Sequence, residues 1–446
     1  MGFLRSRGAL FVFLALYAVT LILLIPSKPL WVDEIVDLNG VRNADLRGVL
    51  NFVPGNAGGV PLGYLVDFGM IRLFGYSVFA VRLPSVLFTV LTCVAVYILA
   101  WKANLRAPLL AAALYAVSPL TMRYALEARP YAQAACWSAF STVVFLSLVR
   151  KPTPGKAAWY AVLVALGLFT QPYSIFVPVA HLIWLVFVKR NSREVWLAGM
   201  AVVLASLAFV PWFLEAQAAW RGAVSSGIRY AVGARDLLVI PHELMGTGFA
   251  GAALTAIAIV AALASSSLNK KDKLFWALYA LVPLLLVPAA DAWFGYFLAA
   301  RQMIFVLVPI SILIAACMDV RRWSVVLSIA LLLAMVYEDV RWTRRPGEGW
   351  QAAAIQLNQF GQQISDPGNC TLFAPSGSRT MYLFFEPHII VCDENTLTSF
   401  AGIALAISPD EPATDARQRL VQAGFRKMAD LRTADPRIEL YRRPPY

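Results

Sequence analysis

The sequence predicts an α-helical membrane protein that crosses the bilayer many times and ends in a small α/β domain. Of its 446 residues, 59% are hydrophobic and 14% are charged, and the mean hydropathy is +0.65, which exceeds the apolar share of ordinary globular proteins. Apolar segments of roughly 15 to 22 residues recur along the first three quarters of the chain, near the length of about 20 that crosses the hydrocarbon layer. The burial of a soluble core would not require that repetition.

The apolar segments predict about eleven transmembrane helices. They cover residues 9–25, 80–101, 108–121, 131–149, 159–170, 174–188, 195–214, 248–264, 274–290, 303–316 and 323–336. Lysine and arginine recur in every second connection, as Lys102 with Arg106 and Lys270 with Lys271 show. Because short cytoplasmic loops retain positive charge, these connections are predicted to face the cytoplasm. The other connections and the C-terminal region then face outward.

Charge and cysteine usage exclude some function classes. The net charge of +12 is spread over the cytoplasmic turns and does not form one basic stripe, which argues against nucleic acid as a partner. Cys370 and Cys392 lie in the outward region, where oxidation is allowed, and the sequence leaves open whether they pair. No cysteine spacing typical of a metal site is present.

Two domains are predicted, a membrane domain over residues 1–340 and an extracytoplasmic α/β domain over residues 341–446. The predicted elements of the second domain are helices at 351–364 and 414–423 and strands at 370–374, 388–393 and 437–442. The domain has no glycine-rich phosphate loop and no evident catalytic triad. Its predicted role is therefore to cap or steady the membrane domain.

Two outward loops are long enough to be functional, residues 26–79 and 215–247. In the first, apolar residues from Ile35 to Val53 recur at helical spacing that Gly40 interrupts, which predicts broken amphipathic helices lying along the membrane interface. The second contains His242 and Glu243. His242 is a candidate substrate contact, and a solvated loop histidine is the simpler interpretation.

The stretch "WVDEIVDLNG" places Asp33 and Glu34 just beyond the first membrane segment. Acids at the start of an interfacial helix cap free N–H groups and suit the positive end of the helix dipole. The functional interpretation is that Asp33 accepts a proton from a hydroxyl group, because a carboxylate positioned at a low-dielectric boundary suits a general base.

The stretch "TMRYALEARPYA" places Glu127 and Arg129 directly before Pro130, at a predicted helix start. Helix starts attract anions, and a guanidinium group strengthens that preference. The alternative is that Glu127 and Arg129 pair with each other at the membrane interface. Arg301 opens a late segment and could hold phosphate or snorkel. His181 lies well inside a segment, where a packed and hydrogen-bonded histidine is predicted.

Taken in order, five stretches resemble the GT-C membrane glycosyltransferases. They are "WVDE", "PLGYLVDFGMIRLFGYSVFAVRLPSVLF", "LEARPYA", "LGLFTQPYS" and "AARQMIFVLVP". The likeness is nearest to the branch that uses dolichyl- or polyprenyl-phosphate sugars and includes the protein O-mannosyltransferases and the aminoarabinose transferase of lipid A. It covers residues 9–336. The resemblance implies a GT-C type fold for the membrane domain.

The resemblance also implies roles for single residues. The family's acidic pair falls on Asp33 and Glu34, with Asp33 as the catalytic base. The family's substrate and donor-phosphate contacts fall on Tyr64, Glu127, Arg129, Tyr131 and Arg301. Relatives often have histidine where Gln171 stands, so this chain departs from the family at that contact. Tyr173 in the same turn and His242 complete the predicted substrate-binding set.

The activity implied is an inverting glycosyl transfer at the outer face of the membrane. A polyprenyl-phosphate sugar is the donor, and a lipid, polysaccharide or protein hydroxyl is the acceptor. No nucleotide-binding loop is present. No cofactor is required by the sequence, although its carboxylates permit a divalent metal. The implied location is the bacterial inner membrane, with the active site and the C-terminal domain in the periplasm.

Two other classes of protein fit parts of the same pattern. A transporter or flippase for a lipid-linked sugar would share the hydropathy, but such proteins usually keep charges or broken helices near the middle of the membrane. A non-catalytic, sugar-binding assembly subunit would use the C-terminal domain as its binding module. The sequence does not identify the sugar, the acceptor or the oligomeric state.

Overall fold

A computed structural model of the protein describes residues 6–56, 59–189, 192–225, 233–264, 268–317, 322–363, 368–393, 395–409, 411–432 and 435–443. The chain forms two compact units. The first comprises Met1–Ile25 and Ala44–Arg345, and the second comprises Pro26–Asn43 and Pro346–Tyr446. The predicted boundary at 340/341 lies close to this division. However, the segment 26–43, which the sequence assigned to the membrane domain, groups with the C-terminal region.

The described residues of the first unit form helices and their connections, without strands. Its helices are α1 (Arg7–Leu24), α3 (Leu46–Phe52), α4 (Pro61–Phe74), α5 (Val78–Lys102), α6 (Pro108–Ala116), α7 (Pro119–Ala125), α8 (Tyr131–Arg150), α9 (Pro154–Thr170), α10 (Phe176–Val188), α11 (Arg193–Ser225), α12 (Ala234–Met245), α13 (Gly248–Ala264), α14 (Lys270–Phe294), α15 (Leu307–Cys317) and α16 (Arg322–Arg344). Short 3₁₀ segments precede α10 at Pro172–Ile175 and α15 at Ala300–Val306.

Six helical stretches among the described residues are long and apolar enough to cross a membrane. They are Arg7–Ser27, Val78–Lys102, Tyr131–Arg150, Arg193–Ser225, Lys270–Phe294 and Ala300–Cys317. A seventh results if α12 and α13, which meet at a bend of 77°, form one broken span. The protein is therefore a multi-pass membrane protein. The count of eleven stays a prediction, since α9 and α10 are shorter apolar helices.

The predicted span over residues 108–121 is instead two helices, α6 and α7. The break lies at Ser118, and Pro119 occupies the first turn of α7. Proline has no N–H to donate to the preceding turn, and its ring disfavours helical geometry at the residue before it. The apolar run is therefore long enough for one span but is divided by a residue that cannot continue a helix.

The second predicted loop, residues 215–247, is largely helical. Helix α11 continues to Ser225, since the stretch after Leu214 is rich in alanine, glutamate, glutamine and arginine, which favour helix. Helix α12 then occupies Ala234–Met245, and the intervening residues 226–232 lie outside the described part. Gly246 ends α12 at φ +65°, where a Cβ atom would lie 2.4 Å from that of Pro119, so a side chain at this position would collide with α7.

His181 is confirmed as a packed core histidine. It is fully buried, with Nε2 3.2 Å from the Thr142 hydroxyl and Nδ1 3.0 Å from the Tyr160 hydroxyl. Its ring stacks on Phe145 at 4.4 Å. Both ring nitrogens have partners, as buried polar groups require.

The second unit is a small α/β domain, as predicted. Its helices are α2 (Val32–Asn39), α17 (Trp350–Gly361), α18 (Arg379–Phe385) and α19 (Thr414–Gln422), and its strands are β1 (Asn369–Ala374), β2 (Gly402–Ile407), β3 (Arg426–Arg432) and β4 (Arg437–Arg442). The strand order is β1-β2-β4-β3. Strands β1 and β2 are parallel, and the other pairs are antiparallel.

The sequence placed some of these elements and missed others. Strands β1 and β4 and helices α17 and α19 lie where they were predicted, although Ile364, the predicted end of α17, is outside the described residues. The predicted strand at 388–393 forms only a bridge between Val391 and Thr371. Cys370 and Cys392 form a disulfide across this bridge, with their Cα atoms 5.7 Å apart, which answers the question the sequence left open.

Helix α2 belongs to this unit because it packs against α18 and is tied to the residues around it. The backbone N–H of Val32 donates to the Glu348 carboxylate at 3.0 Å. The Arg42 guanidinium donates to the Phe384 carbonyl at 3.0 Å and lies over that residue's ring. The first outward loop thus contains helices as predicted, with Gly40 following the end of α2.

A buried carboxylate on β4 predicts acid sensitivity of the second unit. Burial would raise the pKa of Glu439, but hydrogen bonds from Arg417, Lys427 and Tyr441 lower it to about 2. A carboxylate whose pKa is lowered on folding adds stability at pH values above its unfolded pKa, and this stability is lost as the pH falls toward the folded pKa. We expect the thermal unfolding midpoint of Glu439→Gln to be lower at pH 6 and to depend less on pH between 6 and 3.

Scanning fluorimetry of the full-length protein over this pH range provides the measurement. Asp430→Asn is the matched control, because Asp430 forms an exposed pair with Lys427, and exposed pairs contribute little. Equal pH profiles for the wild type and Glu439→Gln would contradict the prediction.

Candidate active site

The predicted residues Glu127 and Arg129 lie in the short connection between α7 and α8. The Arg123 Nε donates to the Glu127 Oε1 at 2.9 Å, and the Glu127 side chain is 6% exposed. The hydroxyl of Ser85 on α5 donates to the Glu127 carbonyl at 2.6 Å. These contacts fix the connection on both its side-chain and its backbone atoms, and Glu127 pairs with Arg123 one helical turn before it.

Aromatic rings support two guanidinium groups at this helix end. Arg123 lies over the ring of Tyr124, and Arg129 over the ring of Tyr131, each at 5.6 Å. The two tyrosine rings meet edge to face at 4.7 Å. Because a guanidinium group is attracted to the face of an aromatic ring, the pair of tyrosines holds the two cations in defined places.

Arg301 lies near Arg123, in the segment that precedes α15. It lies over Phe297 at 5.3 Å. The side chain of Gln302 orders the turn by accepting from the Ala299 N–H and donating to the Phe297 carbonyl, both at 2.9 Å. The positive charge of Arg301 acts on Arg123, so the two guanidinium groups are close enough to interact.

Tyr296 connects the arginines with a neighbouring cavity. Burial raises the pKa of Tyr296, and the positive charges of Arg129 and Arg301 act in the opposite direction. The same ring lines a cavity of about 120 Å³. We refer to Arg123, Glu127, Arg129, Tyr131, Tyr296 and Arg301 as the arginine cluster.

The cavity wall is mainly apolar and aromatic. Its lining includes Tyr173, Phe209, Phe213, Trp220 and Tyr296, together with Gln171. The hydroxyl of Tyr173 donates to the buried carboxylate of Asp291 on α14. The glutamine that replaces the expected histidine thus faces the same cavity as Tyr173.

Two further predicted contacts lie in other parts of the first unit. Tyr64, near the start of α4, accepts a hydrogen bond from the Asn56 side chain at 2.8 Å and meets the ring of Phe52 edge to face. His242 lies in α12, not in a loop, and its ring is 5.1 Å from that of Phe249. Helix α12 packs against α7 and the segment before α15.

Asp33 and Glu34 lie in the first turn of α2, in the second unit. Glu34 is fully buried and accepts from the backbone N–H of Trp31 at 3.2 Å, so it caps the start of the helix. The Asp33 side chain is half-buried. The prediction that the acidic pair caps a helix is therefore confirmed for Glu34. The role of Asp33 as a base remains a prediction.

The sequence interpretation missed three residues of this region. Arg123 stands four positions before Glu127, a spacing that brings opposite charges together on a helix, and it could have been found on that basis. Asp291 directly follows the apolar segment 274–290 and lies within α14, and an acid in a membrane-spanning helix is itself a sign of function. Tyr296 had no such signal, because its position depends on the turn that follows α14.

The positions of the potential metal ligands show whether the described residues form a metal site. Within the described ranges, no three His, Cys, Asp or Glu side chains come together as a metal ion would require. A divalent metal, which the sequence permits but does not require, stays a hypothesis.

Comparison with known proteins gives both a partial sequence match and a match of the whole fold. Residues 60–214 match the family model described as dolichyl-phosphate-mannose-protein mannosyltransferase. No curated protein matches the sequence. ArnT from Cupriavidus metallidurans in the apo state superposes with a TM-score of 0.63 at 14% identity, over 97% of both chains.

Two further structures share this fold. ArnT from Cupriavidus metallidurans bound to undecaprenyl phosphate gives a TM-score of 0.58 at 13% identity, over 98% of both chains. The archaeal oligosaccharyltransferase AglB from Archaeoglobus fulgidus, in complex with an inhibitory peptide and a dolichol-phosphate, gives 0.57 at 10% identity over 89% of this chain and 69% of that chain. The fold that the resemblance implied is confirmed, and the chain is a multi-pass membrane protein of the GT-C fold.

Proposed function

We propose that this protein is a glycosyltransferase that moves a sugar from a polyprenyl-phosphate carrier to a hydroxyl acceptor. The observation that carries the proposal is the arginine cluster, in which three guanidinium groups near helix ends each lie over an aromatic ring, beside an aromatic cavity. The fold supports it, because structures that share this fold were solved with undecaprenyl phosphate or dolichol-phosphate.

The arginine cluster suits the phosphate of the carrier. Guanidinium groups bind phosphate through paired N–H donors, and Arg129 and Arg301 are held in place by Tyr131 and Phe297. When the bond between sugar and phosphate breaks, negative charge grows on the phosphate. Cations that are already in position stabilise this charge most in the transition state, which lowers the barrier.

The aromatic cavity suits the first isoprene units of the carrier. Its wall carries Tyr173, Phe213 and Trp220, which offer apolar area to a hydrocarbon chain. Tyr296 lies both in this wall and beside the arginines. A ligand with a phosphate head and an oily tail would therefore fit the two neighbouring surfaces of the first unit.

Asp33 is the proposed catalytic base. Its carboxylate would take the proton of the acceptor hydroxyl, the oxygen would attack the anomeric carbon, and the carrier phosphate would leave in the same displacement. Such a displacement inverts the configuration at that carbon. Glu34 would act by positioning, because it fixes the first turn of α2 that carries Asp33. Tyr64 and His242 remain proposed substrate contacts.

The proposed location is the bacterial inner membrane, with the site facing the periplasm. The support comes from the lysine and arginine residues in every second connection between the predicted spans, since these connections mark the cytoplasmic face. The acceptor would then be an envelope lipid, a polysaccharide or a protein.

Substitution of Asp33 tests the proposed base. We expect Asp33→Asn to lose transfer by about 10²- to 10⁴-fold, the usual contribution of a general base, while binding of polyprenyl phosphate stays unchanged. Transfer from a radiolabelled polyprenyl-phosphate sugar and binding of the unlabelled carrier are the two measurements. Asp45→Asn is the control, because Asp45 caps α3 through the Gly48 N–H and asparagine caps equally well.

The same variant separates the proposal from its competitors. A transporter would continue to move substrate with asparagine at position 33, and a non-catalytic subunit would be indifferent to the change. Retained turnover in Asp33→Asn would refute the assignment of the base.

Substitution of Arg129 tests the phosphate site. We expect Arg129→Ala to weaken binding of polyprenyl phosphate by about 10- to 100-fold, because hydrogen bonds to charged groups contribute about 1.5–3 kcal/mol. Equilibrium binding to the protein in lipid nanodiscs provides the measurement. Arg235→Ala, which removes an exposed arginine of α12, should bind as the wild type does. An unchanged affinity in Arg129→Ala would place the phosphate elsewhere.

A further inference from the structure

The second unit contains a cavity that the proposed transfer does not use. Its volume is about 700 Å³, within the range typical of small-molecule sites. One wall is formed by Ala374–Ser376 at the end of β1, and the other by residues 411–416 around the start of α19. The loop that contains Val391, Cys392 and Asp393 closes the side.

The cavity lies where an α/β sheet ordinarily binds ligands. Strands β1 and β2 run parallel, in a register that pairs Ala374 with Ile407 at their carboxyl ends. Crevices outside the carboxyl ends of parallel strands are the usual ligand sites of open α/β sheets. The chain leaves β1 through Pro375 and Ser376, which line the cavity directly.

The lining combines an apolar base with a polar rim. Leu372, Ala374 and Cys392 are buried side chains that contribute apolar surface. The rim carries both charge signs, with guanidinium groups from Arg379 and Arg419 and carboxylates from Glu411 and Asp415. The hydroxyls of Ser376 and Thr414 lie between them along the same rim.

This mixture of charges selects the class of ligand. A phosphate or another anion would meet the carboxylates of Glu411 and Asp415, and a cation would meet the two guanidinium groups. A neutral molecule rich in hydroxyl groups avoids both conflicts, because each hydroxyl donates to a carboxylate and accepts from a guanidinium group. The apolar base suits the C–H face of a sugar ring.

The wall of the cavity is preorganised by a disulfide and by hydrogen bonds. The disulfide of Cys392 with Cys370 fixes one side to β1. The Asp393 carboxylate accepts from the N–H groups of Asn395 and Thr396 at 3.0 and 2.9 Å, which orders the loop next to it. Preorganisation of this kind lowers the entropy cost of binding.

We propose that this cavity, formed by the carboxyl end of β1, the loop of Val391, Cys392 and Asp393 and the start of α19, binds a neutral saccharide. The site would hold a sugar residue of the acceptor, and this identification of the ligand rests on the proposed function. The binding itself does not, because it involves none of the residues of the transfer reaction. The C-terminal domain is then a recognition module.

Saturation-transfer NMR on the full-length protein in lipid nanodiscs tests the proposal. The probes are maltose, cellobiose and N-acetylglucosamine, and nanodiscs are needed because glycoside detergents would compete. We expect transfer to at least one probe, reduced at least tenfold in Arg419→Ala and in Ser376→Trp. The second variant fills the cavity from an exposed position, so that it tests occupancy without removing a charge.

Three comparisons decide the result. Arg426→Ala removes an exposed arginine of β3 that does not line the cavity, and it should bind the probe as the wild type does. Asp33→Asn should lose transfer but keep saccharide binding, which separates failure of this site from failure of the proposed function. No binding of any probe, binding that is equal in all variants, or binding of inorganic phosphate at this rim would overturn the proposal.

Discussion

The hydrocarbon layer offers no partner to a charged side chain, and this constraint organises the first unit. Arg123, Glu127 and Arg129 gather at a helix end, and Arg301 lies in the segment before α15. Deep inside the helices, the buried ring of His181 is instead paired with Thr142 and Tyr160. Under the proposed function, the chemistry on the lipid carrier would take place where the helices end, because Arg123, Arg129 and Arg301 lie there.

Much of the fold could be predicted because hydropathy and charge act over long stretches. The apolar segments identified α5, α8, α13 and α14 within a few residues, since each must match the thickness of a bilayer. Some single charged residues were also informative, because a charged side chain next to a membrane has few possible roles. Glu127, Arg129 and Arg301 were expected to contact the substrate or the donor phosphate; these roles stay predictions, and the structure places Arg129 and Arg301 near the same ring, that of Tyr296.

Other features could not be predicted because they depend on contacts between distant parts of the chain. Strand β2 has the sequence "GIALAI", which is apolar on both faces and cannot be told from a helical segment by its period alone. Only its position between β1 and β4 makes it a strand. Tyr296 reaches the arginine cluster through a turn whose shape no local pattern encodes. Helix α2 showed its amphipathic character, but nothing in its sequence indicated which unit it joins.

The attachment of α2 to the C-terminal domain has a consequence for biosynthesis. Val32 and its partner Glu348 are 316 residues apart, so the ribosome completes the whole membrane part before the partner exists. Helix α2 therefore lacks its contact with Glu348 while every later span is inserted. The last step of maturation is then the docking of the newly made tail onto a segment from the beginning of the chain, and a nascent protein that stalls before residue 346 carries Asp33 on an unanchored helix.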